Sequence, residues 1–394
     1  MNITVSRGRE GNPVAKLSGR IDSVNAPEAE QMLLSVCKEN PSETLILDCD
    51  ELQYISSAGL RILLKVKRII PDIRIINANL EIYEILEMTG FTDMIKVQKA
   101  FRVLSVEGCE VIGSGSNGKV YRYDREIIIK VFRESDALPQ IERERELARK
   151  AFVAGIPTAI PFDVVRIENG GYGMVFELLD AASLAELLIS GEKTVDETAQ
   201  MSIDLLRLIH SQKSKPGLLP NMKRTALGWA EFLEDFLPKT QYGKLRALIE
   251  DVPETTSILH GDFHIKNILH HDGECLLIDM DTLCCGHPVF ELASMYNAYC
   301  GYGETDYSVI ENYMGIPWET ATAFWRKSLD LYLGSVDAET VRDVENKARL
   351  IGFVRMMRRK IRRNGLNTDE GRAEIRYCED VISELLTKVD SLVF

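Results

Sequence analysis

The sequence predicts two folded domains in one chain, an α/β domain followed by a larger α+β domain. Within residues 1–100, strand-like segments alternate with helical ones, which is typical of a sheet with helices packed on it. A glycine-rich strand hairpin follows near residue 113, and helical patterns occur over residues 140–150 and 201–210. The length of 394 residues also exceeds what a single hydrophobic core usually serves.

The elements of the first domain follow one another in a regular order. In chain order they are a strand over 14–17, a helix over 26–37, a strand over 44–48, a helix that begins after Ser57, a strand over 73–76 and a helix over 80–88. This alternation predicts a sheet covered by helices.

Three segments of this domain carry a family resemblance. Residues 17–22 (LSGRID), 45–48 (LILD) and 54–60 (YISSAGL) resemble the STAS domain of anti-sigma factor antagonists, and the similarity covers nearly all of residues 1–100. In that family a serine before the glycine is phosphorylated, which breaks binding to a partner kinase or anti-sigma factor. Alignment on Gly59 implies that this candidate phosphosite is Ser57, in a module that docks a protein partner.

Ser57 also has a physical argument of its own. It stands directly before an amphipathic run that starts at Leu60, which predicts that it is the helix N-cap. A phosphate there would meet free backbone N–H groups and the positive end of the helix dipole. It would add about −1.5 to −2 charges near Asp48 and Asp50, which would repel an acidic partner. A plain N-cap without modification explains the same residues, so both interpretations stay open.

The second domain begins with a pattern typical of nucleotide phosphate binding. The sequence GSGSNGKV fits the template G-x-G-x-x-G-x-V, with Gly113, Gly115, Gly118 and Val120 at its fixed positions. Glycines let the backbone close over phosphates, and Lys130 in the next apolar strand can reach the α- and β-phosphates. The pattern opens a strand rather than a helix, which distinguishes it from a dinucleotide-binding loop. A glycine-rich turn beside a structural lysine is the alternative.

A lysine in that strand requires an acidic partner. The helical segment 140–150 supplies three candidates, Glu142, Glu144 and Glu146. Glu142 and Glu146 are one turn apart and share a face, whereas Glu144 points roughly the opposite way. The spacing alone does not choose among the three.

The segment HGDFHIKN, which starts at residue 260, indicates phosphoryl-transfer chemistry. Asp262 and Asn267 stand five residues apart, as the base and the metal-binding Asn do in kinase catalytic loops. The apolar run 275–278 predicts a short strand, and Asp279 follows directly after it. These residue types suit transfer of the γ-phosphoryl group of ATP. Asp262 would take the proton of an acceptor hydroxyl, while Asn267 and Asp279 would hold Mg²⁺ against the phosphates.

These motifs together resemble the aminoglycoside phosphotransferase and choline kinase branch of the protein-kinase-like fold. The resemblance runs from about residue 109 to residue 394. It implies a small β-rich lobe over 109–177, a hinge near 176–178 and a helical lobe over 178–394 that carries the chemistry. It also favours Glu144 as the partner of Lys130.

Two departures from protein kinases concern the acceptor. His264 stands two residues after Asp262, where protein kinases usually have Lys, and only a short stretch separates Asp279 from Glu291. The resemblance to small-molecule phosphotransferases and the lack of room for an activation loop both favour a small-molecule acceptor over a protein. Glu291 is interpreted as a structural partner of the catalytic loop.

Charge and composition narrow the class of partner. The formal net charge is −13, and the first 100 residues hold 12 Lys and Arg against 14 Asp and Glu, which leaves −11 for the rest. An acidic phosphotransferase region argues against nucleic acid and favours a cationic acceptor. The one basic concentration, residues 355–363, could bind an acidic partner or a membrane surface, although a solvated helix near an acidic surface also explains it.

Other features predict an ordinary cytoplasmic protein. No apolar run approaches the ~18 residues that a membrane span requires, and the first residues lack a signal-peptide core. The eight cysteines show no CxxC spacing, so a disulfide framework or zinc site is not expected.

The leading hypothesis is an ATP-dependent, Mg²⁺-requiring phosphotransferase that acts on a small-molecule hydroxyl, with the STAS domain as a regulatory or docking module. The alternative is a partner-switching signalling protein. In that case the kinase-like half would bind nucleotide as a signal, or would phosphorylate Ser57 or a protein partner. The sequence leaves open which acceptor is used and whether the nucleotide is ATP or GTP.

Overall fold

The computed structural model describes residues 1–8, 11–39, 44–115, 118–134 and 137–394. These residues form two compact units, Met1–Leu104 and Ser105–Phe394. The predicted order of an α/β domain followed by an α+β domain is confirmed.

The first unit is a sheet with helices packed on it. Its elements are β1 (Asn2–Arg7), β2 (Pro13–Ile21), α1 (Ala26–Glu39), β3 (Thr44–Ile55), α2 (Ser57–Ile69), β4 (Asp72–Ala78), α3 (Leu80–Met88) and β5 (Lys96–Lys99). The strands lie in the order β1-β2-β3-β4-β5, with β1 antiparallel to β2 and the other neighbours parallel. Leu17, Leu33, Leu45 and Leu47 are among its fully buried side chains, and burial of each stabilises the fold by roughly 1.5–3 kcal/mol.

The start of α2 corrects one expectation, because the N-cap is Ser56 and not Ser57. Ser56 has an extended backbone, and its Oγ accepts a hydrogen bond from the Gly59 N–H at 3.4 Å. The Ser56 N–H donates to Ile21 O at 2.8 Å, which holds that residue to the end of β2 and starts the helix one residue later. Ser57 is therefore the first helical residue, and its side chain is exposed.

The second unit begins with an antiparallel sheet and one long helix. The short strand β6 (Val103–Leu104) ends the first unit. The second unit then has β7 (Glu110–Ser114), β8 (Gly118–Arg122), β9 (Ile127–Phe132), α4 (Leu138–Val153), β10 (Pro161–Ile167) and β11 (Tyr172–Glu177). Strands β10-β11-β9-β8-β7 are hydrogen-bonded in that order. The turn between β8 and β9 forms because Asp124 Oδ1 accepts hydrogen bonds from the Glu126 and Ile127 N–H groups, both at 2.8 Å.

The rest of the second unit is mainly helical. Its helices are α5 (Leu184–Ser190), α6 (Val195–Ser211), α7 (Met222–Phe232), α8 (Lys239–Glu250), α9 (Val289–Tyr299), α10 (Tyr307–Met314), α11 (Trp318–Leu333), α12 (Ala338–Arg362) and α13 (Asp369–Leu386). Short strands β12 (Ala182–Ser183), β14 (Ile268–His271) and β15 (Glu274–Leu277) form one sheet, and β13 (Ile258–Leu259) pairs with β16 (Cys284–Cys285). Every residue of α9 is buried, which is typical of a central core helix.

Among the described residues, no helix has both the length and the apolar character that a bilayer crossing demands.

Candidate active site

Lys130 lies at the centre of a buried ion-pair arrangement. It extends from β9, and its Nζ is 2.7 Å from Glu144 Oε1 of α4 and 2.7 Å from Asp279 Oδ1. The side chains of Lys130 and Glu144 are only 15% and 3% exposed, so both charges are removed from water. Glu144 is thus the glutamate that reaches Lys130. Glu146 faces outward and pairs with Arg149 at 3.0 Å.

The electrostatics of this pair follow from burial and from mutual attraction. Burial by itself lowers the pKa of Lys130, but the nearby charges of Asp279 and Glu144 outweigh it and hold that pKa above its ordinary value. Burial raises the pKa of Glu144 to about 7, although Lys130 opposes the rise. Glu144 Oε2 is buried without a hydrogen-bond partner in the described structure, so Lys130 is the main stabilising contact of this carboxylate.

Asp279 has a backbone conformation that few residues other than glycine adopt. It follows β15 directly, with φ 66° and ψ 61°, in the left-handed region. The Ile278 N–H donates to Asn267 O at 3.0 Å, which ties this turn to the loop of residues 260–267, the candidate catalytic loop. The strained turn directs the Asp279 carboxylate toward Lys130, and such strain is often found at functional sites.

The candidate catalytic loop, residues 260–267, is held from behind by a buried carboxylate. Glu291 of α9 is fully buried, and its Oε1 accepts a hydrogen bond from the Gly261 N–H at 3.0 Å. Gly261 has φ +83°, and a Cβ there would lie 2.5 Å from Thr282 O, so only glycine fits. This position agrees with the structural part expected of Glu291.

The ring of His260 joins the loop to the strand before Asp279. Its Nδ1 accepts from the Asp262 N–H at 3.3 Å, so its Nε2 carries the proton and donates to Ile278 O at 3.1 Å. The Asp262 side chain extends from this fixed backbone and is 41% exposed. A half-exposed carboxylate on a rigid loop can meet an incoming hydroxyl.

Asn267 lies within the same loop, and a hydrogen bond fixes its amide. Its Nδ2 donates to Asp262 O at 3.0 Å, so the amide oxygen is the group that can face a cation. Asn267 and Asp279 supply oxygen donors only, which Mg²⁺ prefers. Among the described residues, no three His, Cys, Asp or Glu side chains are arranged to hold a metal. In nucleotide enzymes, substrate phosphates usually supply further Mg²⁺ ligands.

His264 and Tyr313 form a contact beside Asp262 that sequence reasoning missed. His264 Nε2 lies 2.6 Å from Tyr313 Oη of α10 and 3.6 Å from Asp262 Oδ2. Burial alone would raise the pKa of Asp262, but the hydrogen bond and charge of His264, followed by the charge of Arg355, hold it well below its ordinary value. Nothing in the local spacing pointed to Tyr313, which lies 49 residues further along the chain.

Arg355 and Asp281 were also missed as members of the site. Arg355 Nη1 donates to Gly261 O at 3.0 Å and to Ser294 Oγ at 2.9 Å, although its basic segment was interpreted as a solvated helix or a partner surface. Burial, followed by the charge of Asp279, raises the pKa of Asp281 to about 6. The only sequence signal for Asp281 was its place two residues after Asp279.

The glycine-rich residues lie on the hairpin next to Lys130. Val120 of β8 is the cross-strand partner of Lys130, and Gly113 of β7 pairs with Val120. The Gly115 N–H donates to Gly118 O at 2.9 Å. Residues 116–117, between these glycines, lie outside the described residues. A Cβ at Gly118 would be 2.0 Å from Val131 O, so the close approach of β8 and β9 requires glycine there.

The second unit thus combines an antiparallel sheet that carries a lysine–glutamate pair with a helical part that carries the catalytic loop, which is the arrangement of the protein-kinase-like fold. The model of the phosphotransferase enzyme family matches residues 108–315, and that of the STAS domain matches residues 4–103. The chain belongs to the phosphotransferase enzyme family and carries a STAS domain before the phosphotransferase domain, as both resemblances implied.

Solved structures of aminoglycoside phosphotransferases are among those to which this chain is similar. The apo form of a thermostable mutant of APH(4)-Ia is 12% identical over 71% of this chain and 94% of its own, with a TM-score of 0.47. ADP-bound APH(2'')-Ib is 18% identical over 79% and 99%, with a TM-score of 0.45. A ternary complex of thermostable APH(4)-Ia with AMP-PNP and hygromycin B is 11% identical over 71% and 93%, with a TM-score of 0.49. No curated protein matches the chain.

Proposed function

We propose that this protein transfers the γ-phosphoryl group of ATP to a hydroxyl of a small molecule, with Mg²⁺ as cofactor. One observation carries the proposal. Lys130, Glu144 and Asp279 are joined by contacts of 2.7 Å, and the half-exposed Asp262 extends from a loop tied to Asp279 through His260 and Ile278. A phosphate clamp, a cation ligand and a base thus belong to one connected structure.

Asp262 is the proposed catalytic base. Because its pKa lies well below the ordinary value, the carboxylate is ionised at neutral pH and can accept a proton. The acceptor oxygen forms a bond to the γ-phosphorus, the bond between that phosphorus and the leaving ADP oxygen breaks, and the hydroxyl proton moves to Asp262.

The other residues position the nucleotide. Asn267 and Asp279 would hold Mg²⁺, which neutralises phosphate charge when it is bound. Lys130 would contact the α- and β-phosphates, and Glu144 would keep its ammonium group in place. The hairpin that carries Gly113, Gly115, Gly118 and Val120 would cover the phosphates.

A second candidate function rests on the STAS domain. Ser57 is exposed in the first turn of α2, where a phosphate would lie near the positive end of the helix dipole. The protein would then switch partners according to nucleotide binding or to phosphorylation of Ser57.

Product mass separates these functions. The full chain is incubated with Mg²⁺ and ATP, alone and with amino-alcohols, aminoglycosides, sugars and an isolated STAS domain, and all species are weighed by intact-mass spectrometry. We expect a small molecule to gain one phosphate. Phosphate on the protein at Ser57, lost in Ser57→Ala, would instead support the second candidate.

A further inference from the structure

Four arginines lie along one face of α12. Arg355, Arg358, Arg359 and Arg362, here called the arginine row, are spaced i, i+3, i+4 and i+7, so their side chains leave the helix within one stripe. Met357 and Ile361 of the same helix are buried on its other side. The row extends over about 10 Å of helix axis.

Within the described residues, no Asp or Glu forms an ion pair with any arginine of the row. Arg359 Nη1 donates to Tyr302 Oη at 3.0 Å, and the Arg358 guanidinium lies 5.7 Å from the Phe232 ring centre. Arg358 Nε is buried without a hydrogen-bond partner. By contrast, Lys347 of the same helix pairs with Asp343 at 2.6 Å, and Lys360 forms an ion pair with Glu374. The lysines of α12 are neutralised, and so is Arg349 of the same helix, which pairs with Glu304 at 2.6 Å, whereas the arginines of the row have no such partner among the described residues.

The row begins at the proposed base. Arg355 donates to the carbonyl of Gly261, the residue before Asp262. Arg359 donates to the hydroxyl of Tyr302, and residues 301–303 pack against α10, the helix that carries Tyr313. The Tyr313 hydroxyl contacts His264, which in turn lies beside Asp262. The arginine row therefore begins beside the loop that carries Asp262 and continues to Tyr302.

The helix dipole explains only part of this pattern. Cations are favoured in the last turn of a helix, which accounts for Arg359 and Arg362. Arg355 and Arg358 precede that turn, and burial together with the charges of Arg362 and Arg355 lowers the pKa of Arg358. Positive groups that crowd one another gain most from a bound anion, and the planar guanidinium suits phosphate and carboxylate oxygens.

We propose that the arginine row binds a phosphate or carboxylate group of the acceptor, so that the substrate is a small hydroxyl compound with a negative charge. This rests on the proposed phosphotransferase function and deepens it. It opposes the cationic acceptor that the net charge favoured. Exposed charges act weakly beyond a Debye length of about 8–10 Å, so the groups in contact with the acceptor decide its charge.

The test compares two variants of the full chain with equal loss of charge. Arg358→Gln/Arg359→Gln removes two members of the row. Arg342→Gln/Arg376→Gln removes two arginines from elsewhere on α12 and α13. Each protein is first saturated with Mg²⁺ and AMP-PNP to occupy the nucleotide site, and inorganic phosphate is then titrated by calorimetry. We expect the row variant to bind phosphate about 10-fold or more weakly than wild type, with the control unchanged.

A second arm measures turnover on paired acceptors, glycerol against glycerol 3-phosphate and ethanolamine against a hydroxy acid. We expect the anionic member of each pair to have the higher kcat/KM, and only the row variant to lose that preference. Equal phosphate affinity in wild type and row variant, or a preference for cationic acceptors, would overturn the proposal. Failure of the wild type to bind AMP-PNP would count against the phosphotransferase function, whereas the phosphate titration needs no turnover and still tests the row.

Discussion

The catalytic loop and the glycine-rich hairpin differ in how the fold holds them. The loop around Asp262 is fixed from behind by the buried Glu291, by His260 and by Arg355 from a helix late in the chain. The described part of the hairpin is largely exposed and is held by strand pairing and by a 3.1 Å hydrogen bond from Arg133 to Gly115 O. The groups proposed for chemistry thus lie on a rigid frame, while the proposed phosphate cover lies at a surface.

The largest expected effect comes from removing the base without disturbing this frame. Asp262→Asn should lower kcat by about 10³-fold, or roughly 4 kcal/mol, because the amide cannot accept the hydroxyl proton. Nucleotide affinity should stay within a few-fold, since Asp262 acts on the acceptor. Steady-state kinetics and AMP-PNP titration measure the two quantities, and near wild-type turnover would remove Asp262 as the base.

The second prediction concerns Glu291, the buried carboxylate that holds the loop around Asp262. Glu291→Gln keeps the size of the side chain but removes the charge that accepts from the loop N–H groups. We expect the free energy of unfolding to fall by about 2–4 kcal/mol. Chemical denaturation measures this free energy. Glu254→Gln, which changes an exposed carboxylate, is the control. Equal stability of both variants would mean that the loop does not depend on this carboxylate.

Lys130 lies on β9 of the sheet and contacts Asp279, which follows β15. Lys130→Ala should lower kcat/KM by about 100-fold, or 2.7 kcal/mol, because a positive charge is lost from the phosphate site. The fold should survive, since Glu144, with a pKa already raised to about 7, can take up a proton. Lys239→Ala, which changes an exposed lysine at the start of α8, is the control. An unchanged rate in Lys130→Ala would mean that the lysine has only a structural role.

The next prediction concerns how the free energy of unfolding depends on pH through Asp281. Its pKa is raised to about 6 from an ordinary 3.8, so the folded state binds more protons than the unfolded state between these values. Its contribution to stability is complete below pH 3.8 and is lost as the pH rises through 6. Asp281→Asn should remove about 1–3 kcal/mol of this dependence. Melts from pH 4 to 7 measure it, and parallel profiles for variant and wild type would contradict the burial of this charge.

The smallest effect is expected at the start of α2. Ser56→Ala should lower the stability of the STAS domain by about 0.5–2 kcal/mol, because the cap on the Gly59 N–H is lost. Ser57→Ala should leave stability close to wild type. The thermal stabilities of the two variants are compared directly. A larger loss of stability in Ser57→Ala would mean that Ser57 is the N-cap.

Much of this protein was predictable from short stretches of sequence. Strand and helix periodicity, the glycine pattern and the five-residue spacing of Asp262 and Asn267 each lie within one segment, so the order of the two domains and the candidate chemical groups could be predicted. Both resemblances, to the STAS domain and to the phosphotransferase family, are confirmed by the family comparisons.

Tertiary structure decided the contacts between distant segments. Spacing alone could not choose among the three glutamates of α4, because the choice depends on which face of the helix meets Lys130. Arg355 reaches Gly261 across 94 residues, and its surroundings are set by how α12 packs beside the catalytic loop. The cap moved to Ser56 because its N–H bonds the end of β2. Local sequence encodes which groups a segment offers, whereas packing of remote segments determines which of those groups meet and in what electrostatic environment.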